Sequence, residues 1–197
     1  MMHIYFVSLG CDKNLVDSEK MLALLTKEGY ELTDEPEQAE IIVVNTCAFI
    51  HDAKQESIET LLELAEYKKT GKCKVLIASG CLAERYQDTI LEEMPEINSV
   101  IGTTAYDDIA VVVKKALGGE HAALTKELDY LPVHLTDRVT SGMSHVGYLK
   151  ISEGCNKNCT YCIIPSMRGH YRSVPMEDLI EETEKLAEKG IRELILV

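Results

Sequence analysis

Three cysteines, Cys155, Cys159 and Cys162, fall within the stretch "LKISEGCNKNCTYCIIPSMRGHYRS", and no fourth follows them. Thiolate is the soft ligand that iron–sulfur clusters prefer, and a Cys-x3-Cys-x2-Cys loop can wrap three corners of a cubane. Structural tetrahedral sites take four protein ligands. Three leave one metal position open, which is where a reactant can bind. A zinc site competes with this reading, with His170 as fourth ligand across the turn "PSMRG".

A second set is dispersed. Cys11 follows the apolar run "IYFVSLG", Cys47 follows "IIVVNT" and Cys81 follows "VLIASG". Each stands just past a strand-like run and just before a helical pattern. In a parallel sheet such ends share one edge, where ligands collect, so the three thiols are expected to converge. For any one of them the alternative is a small buried core residue. Cys73 precedes its strand, at the opposite edge, and is expected to be structural.

The elements that must position these thiols follow a rhythm of strand then helix, four times between residues 3 and 118. "NLVDSEKMLALLTKEG" places Val16, Met21, Leu24 and Leu25 on one helical face, with Gly29 at its stop. "DAKQESIETLLELAEYKKTG" places Ile58, Leu61, Leu62 and Ala65 on another. "LAERYQDTILEEM" and "YDDIAVVVKKALGG" complete the set, after strands "CKVLIASGC" and "INSVIG". Continuous apolar strands alternating with helices predict an α/β fold, a three-layer open parallel sheet with helices on both faces. After Gly118-Gly119 the pattern lapses, and 119–143 reads as an irregular linker. A βαβ unit then spans 144–197: strand "VGYLKIS", the cysteine loop, helix "PMEDLIEETEKLAEKG" and strand "IRELILV". Ser173 is its expected helix N-cap, Pro175 a first-turn residue and Gly190 the stop. The chain ends inside a strand, as the opening of a larger β/α barrel would if cut short.

The formal charge of −13 makes this surface a poor platform for a phosphate backbone and a better one for a basic protein partner, or simply a soluble face. No apolar run approaches the roughly 20 residues of a membrane span, and "MMHIYFVSLG" lacks the build of a signal peptide. Seven cysteines in such a chain point to reduced, metal-binding or catalytic thiols and to a cytoplasmic location.

"CNKNCTYC" resembles the CxxxCx(aromatic)C signature of radical S-adenosylmethionine enzymes, and with "SLGCDKN", "NTCAFI" and "SGCLAERY" the whole chain is similar to the methylthiotransferases of that class. The resemblance implies two [4Fe–4S] clusters, one on Cys11, Cys47 and Cys81 and one on Cys155, Cys159 and Cys162. It implies an N-terminal methylthiotransferase domain (1–118), the linker, and the start of the radical core (144–197). S-adenosylmethionine would be cleaved at the second cluster to a 5′-deoxyadenosyl radical, with Tyr161 packing on the adenine or serving as a core tyrosine. The first cluster would carry the sulfur that becomes the methylthio group. "NTCAFIHDAKQES" and "IIPSMRG" look like the branch that modifies the β-carbon of an aspartate in a small-subunit ribosomal protein, and less like the branch that modifies tRNA adenosine. The implied partners are that ribosomal protein or the ribosome, and an electron donor. Val174 departs from the family pattern, which has a basic residue there. Arg168 and Arg172 could anchor a carboxylate or a cluster-facing loop, or be surface arginines. Asn14, Asp17, Glu84 and Arg85 match the family pattern or serve helix starts. A non-enzymatic zinc or iron–sulfur interaction module is the reading from another class.

Overall fold

The computed structural model describes residues 1–132, 137–141 and 145–197. Strands β1 (His3–Ser8), β3 (Ile41–Thr46), β4 (Val75–Gly80) and β5 (Ser99–Ile101) form where the apolar runs predict them. Two short strands, β2 (Glu31–Leu32) and β6 (Ala122–Leu124), flank them, giving an all-parallel sheet in the order β2-β1-β3-β4-β5-β6. Their helices are α1 (Asp12–Lys27), α2 (His51–Ala65), the short α3 (Tyr67–Thr70), α4 (Cys81–Glu93) and α5 (Ile109–Leu117).

Side chains along a strand alternate between faces, and the core divides accordingly. Ile41, Val43, Val75 and Ile77 meet Met21 and Leu25 of α1 and Ile109 and Val113 of α5. Ile42, Val44, Leu76 and Ala78 meet Leu61 and Leu64 of α2 and Leu82 and Ile90 of α4 on the other side. The three layers are those expected. Two details differ from the sequence reading. On α2 the buried stripe is Ser57, Leu61, Leu64 and Ala65, whereas Ile58 and Leu62 stand exposed. The stretch 119–143 contributes β6 to the sheet edge, because its Ala-Ala-Leu pairs in register with Ser99–Ile101.

The second unit begins at β7 (Val146–Leu149), continues through β8 (Ser152–Glu153), α6 (Ile164–Arg168) and β9 (Arg172–Ser173), and ends with α7 (Met176–Glu188) and β10 (Glu193–Leu196). Strands β7 and β10 are parallel neighbours with α7 between them in sequence, which is the βαβ unit expected. Ser173 is not the cap of α7. It belongs to β9, opposite Ser152, its hydroxyl donates to the Tyr171 hydroxyl, and Pro175 takes the N-cap position.

Helix α1 is buried on both sides. Its apolar side faces the sheet, and its polar side, Asn14, Asp17, Ser18, Glu19 and Lys20, is also removed from solvent. Buried charge must be paired, and here the partners come from the second unit and the chain leading to it. Lys20 pairs with Glu182 of α7 at 3.2 Å, and Arg138 reaches Glu182 at 3.1 Å and Glu19 at 3.3 Å. Lys150 pairs with Asp17 and with Glu153, the latter at 3.0 Å.

Candidate metal centre

The order of strands reverses at β1, which has β2 on one side and β3 on the other, while α1 and α2 cover opposite faces. A crevice opens at such a reversal, past the carboxyl ends of the strands. Cys11, at the N-cap of α1, and Cys47, just after β3, flank it, and Cys81 begins α4 one strand further along.

Two glycines bring the three loops into contact. Gly10 has φ +91°, and a β-carbon there would lie 2.7 Å from Cys47 Cβ and 2.9 Å from its Sγ. Gly80, at φ +89°, would clash with the Asn45 side chain and lie 2.6 Å from the Thr46 carbonyl. Only a residue without a side chain allows that approach. Asn14 laces the loops together: its Nδ2 donates to the carbonyls of Leu9 at 2.9 Å and Thr46 at 3.0 Å, and its Oδ1 accepts from the Cys81 thiol at 3.8 Å. The Cys47 N–H donates to Ser57 Oγ at 2.9 Å.

The resulting cavity, about 650 Å³, is lined by Cys11, Cys47 and Cys81, and also by Cys155 from the second set, with Lys13, Glu153 and Arg168 supplying charge. Its apolar walls include Phe49, Ile50, Ile164 and Met167. Burial raises the Cys81 thiol above its ordinary pKa, and the Arg168 guanidinium beside it works the other way. Lys13 is pulled down by burial, with Glu153 opposing, and its Nζ donates to the Ser152 carbonyl at 2.6 Å. Burial would likewise neutralise Lys150, but Asp17 and Glu153 reverse this and raise its pKa.

In the second set Cys155 and Cys162 are partly buried and Cys159 is exposed. The Cys155 N–H donates to the Gly169 carbonyl at 3.0 Å, its sulfur accepts from the Lys157 N–H at 3.4 Å, and the Cys162 N–H donates to the Cys159 carbonyl at 3.0 Å. Tyr161 is 90% exposed and lines none of this cavity. His170 is exposed, its Nδ1 2.9 Å from Asp129 Oδ1. Cys73 lies buried before β4, its thiol directed to the Val75 carbonyl at 3.5 Å.

Among the described residues, no group of three or more His, Cys, Asp or Glu side chains is gathered closely enough to chelate a single metal ion. A cubane makes a different demand, since its thiolates grip separate corners. Soft donors on three loops, glycine cradles and an adjacent fixed cation are a chemically suitable set for such a cluster. Arg168 and Lys13 were less legible than the cysteines. The available signal was basic residues beside thiols, which solvent-exposed residues share.

A three-layer parallel α/β domain followed by a βαβ unit is the class that this fold defines, and the radical SAM superfamily pattern matches residues 149–197. The chain belongs to the family described as uncharacterized protein family UPF0004, whose pattern matches residues 3–102. It is 58% identical over 196 residues to the ribosomal protein uS12 methylthiotransferase RimO of Lachnoclostridium phytofermentans, covering 100% of this chain and 44% of that protein. The proteins of the same name from Acetivibrio thermocellus and Pelotomaculum thermopropionicum are 51% and 48% identical, over 97% and 98% of this chain and 44% of each. The chain thus spans less than half the length of these curated relatives. They bear out the resemblance read from the cysteine motifs. A solved structure of the radical S-adenosylmethionine methyltransferase TsrM from Kitasatospora setae, with cobalamin and a [4Fe-4S] cluster bound, superposes with a TM-score of 0.59 at 13% identity, over 100% of this chain and 48% of that one. That likeness concerns the fold.

Proposed function

We propose that the full-length protein methylthiolates the β-carbon of an aspartate in ribosomal protein uS12, in the cytoplasm, using S-adenosylmethionine and two [4Fe–4S] clusters. Cys11, Cys47 and Cys81 would hold one cluster and Cys155, Cys159 and Cys162 the other, with Tyr161 beside the cofactor's adenine. When bound, these groups supply a carbon-centred radical and the methylthio group, chemistry that no side chain provides. The chain's own residues have narrower tasks. Gly10, Gly80 and Asn14 hold three thiol-bearing loops at one crevice, the apolar walls exclude water, and Arg168 offsets thiolate charge. Functionally the chain would divide into 1–118, a linker 119–143 and the start of the core at 144–197.

The observation that supports this reading best is that Cys155 opens onto the same cavity as Cys11, Cys47 and Cys81. Two halves of one reaction need adjacent sites. The acidic balance of −13 suits a basic protein substrate better than tRNA. The test is anaerobic preparation followed by metal analysis and assay on ribosomes and on tRNA. About eight irons and eight sulfides per chain are expected for two cubanes, with about half lost in the Cys155→Ala, Cys159→Ala, Cys162→Ala variant. Zinc without sulfide would instead identify an interaction module, and modification of tRNA alone would reassign the substrate.

A further inference from the structure

Arg168 belongs by sequence to the second cysteine set, six residues after Cys162, at the end of α6. In space it is a component of the first. Its Nη2 donates to Asn14 Oδ1, the same oxygen that accepts from the Cys81 thiol. Its Nη1 meets Glu153 at 2.8 Å and Asp17 at 3.3 Å. The side chain is almost wholly buried and lines the cavity with Cys11, Cys47 and Cys81. The carbonyl of neighbouring Met167 accepts from the Thr103 hydroxyl at 2.7 Å, which fixes the end of α6 against the sheet domain. A guanidinium is always charged, and its planar fork is held here by three oxygens on two units.

We propose that Arg168 is a positioning residue of the Cys11, Cys47 and Cys81 site, setting its electrostatics from the opposing unit. The inference rests on the reading above, in which those three cysteines hold a cluster. Net charge near a cluster and hydrogen bonds around its sulfurs set its reduction potential, so a fixed cation favours the reduced, more negative form. Asp17 opposes that cation at the same place. The first site therefore attains its working potential only when the second unit is docked.

The experiment uses the full-length protein carrying Cys155→Ala, Cys159→Ala and Cys162→Ala, so that one cluster is read alone, with its potential followed by electron paramagnetic resonance. Relative to that parent, Arg168→Gln is expected to shift the potential down, Arg168→Lys to restore most of it, and Asp17→Asn to shift it up. An unchanged potential in Arg168→Gln, with iron retained, overturns the proposal whatever Asp17→Asn does, and leaves the cluster assignment intact. If Arg168→Gln fails to fold, Asp17→Asn decides alone: a rise supports the proposal and no shift overturns it. A parent that binds no iron overturns the cluster assignment and the proposal together.

Discussion

Glu84 projects from the first turn of α4 into a buried position where its carboxylate accepts from the Thr103 N–H at 2.8 Å. Burial raises its pKa, and the bonds from Thr103 and the charge of Arg168 offset this only in part. The folded protein therefore holds this proton more tightly than the unfolded chain does. Stability from this group is present at and below the ordinary carboxylate pKa of about 4.3 and is lost as pH rises through the raised value. Glu84→Gln keeps an acceptor for Thr103 and removes the titration. Its melting temperature minus that of the unsubstituted protein should grow as pH rises from about 4 towards neutrality, in melts of reduced, metal-free protein. A difference that stays flat with pH would show that Glu84 is solvated. The same residue shows what a sequence conceals: "CLAERY" displays Glu84 and Arg85 as a charged pair, yet one is buried and the other lies over the Tyr86 ring.

Among the elements, α1 and α7 make the sharpest test of the docking between units. Glu182 meets both Lys20 and Arg138, each nearly inaccessible to solvent. Removing one partner of a buried pair leaves uncompensated charge, at about 3–5 kcal/mol. Glu182→Gln should lower the stability measured by urea unfolding by about that amount, whereas a surface pair such as Lys69–Glu66 should contribute about 0–1 kcal/mol. The strands and the cysteine positions were legible in the sequence because they depend on local pattern: a run such as "IIVVNTC" declares both a doubly covered strand and the thiol at its end. The polar side of α1 was not. Local periodicity marks Val16 and Met21 as inward and assigns Asp17, Glu19 and Lys20 to solvent. Their burial depends on Glu182, Arg138 and Lys150, far along the chain, and no local pattern encodes such a pairing.

For the whole molecule, the way the two units are held together fixes how they respond to salt. Exposed ion pairs weaken as the screening length falls to about 3 Å near 1 M salt, but pairs sealed from solvent are little affected. The Lys20–Glu182, Arg138–Glu19, Lys150–Asp17 and Arg168–Asp17 pairs are of the second kind. The radius of gyration from small-angle scattering should therefore stay constant from about 0.1 M to 1 M salt, and an expansion would show that surface attraction holds the units together. The shared cavity has a practical corollary. Because Cys155 and Cys11 open onto one chamber, a short bis-maleimide should staple the first helix to the later loop within a single polypeptide, leaving a closed ring that migrates faster on a denaturing gel.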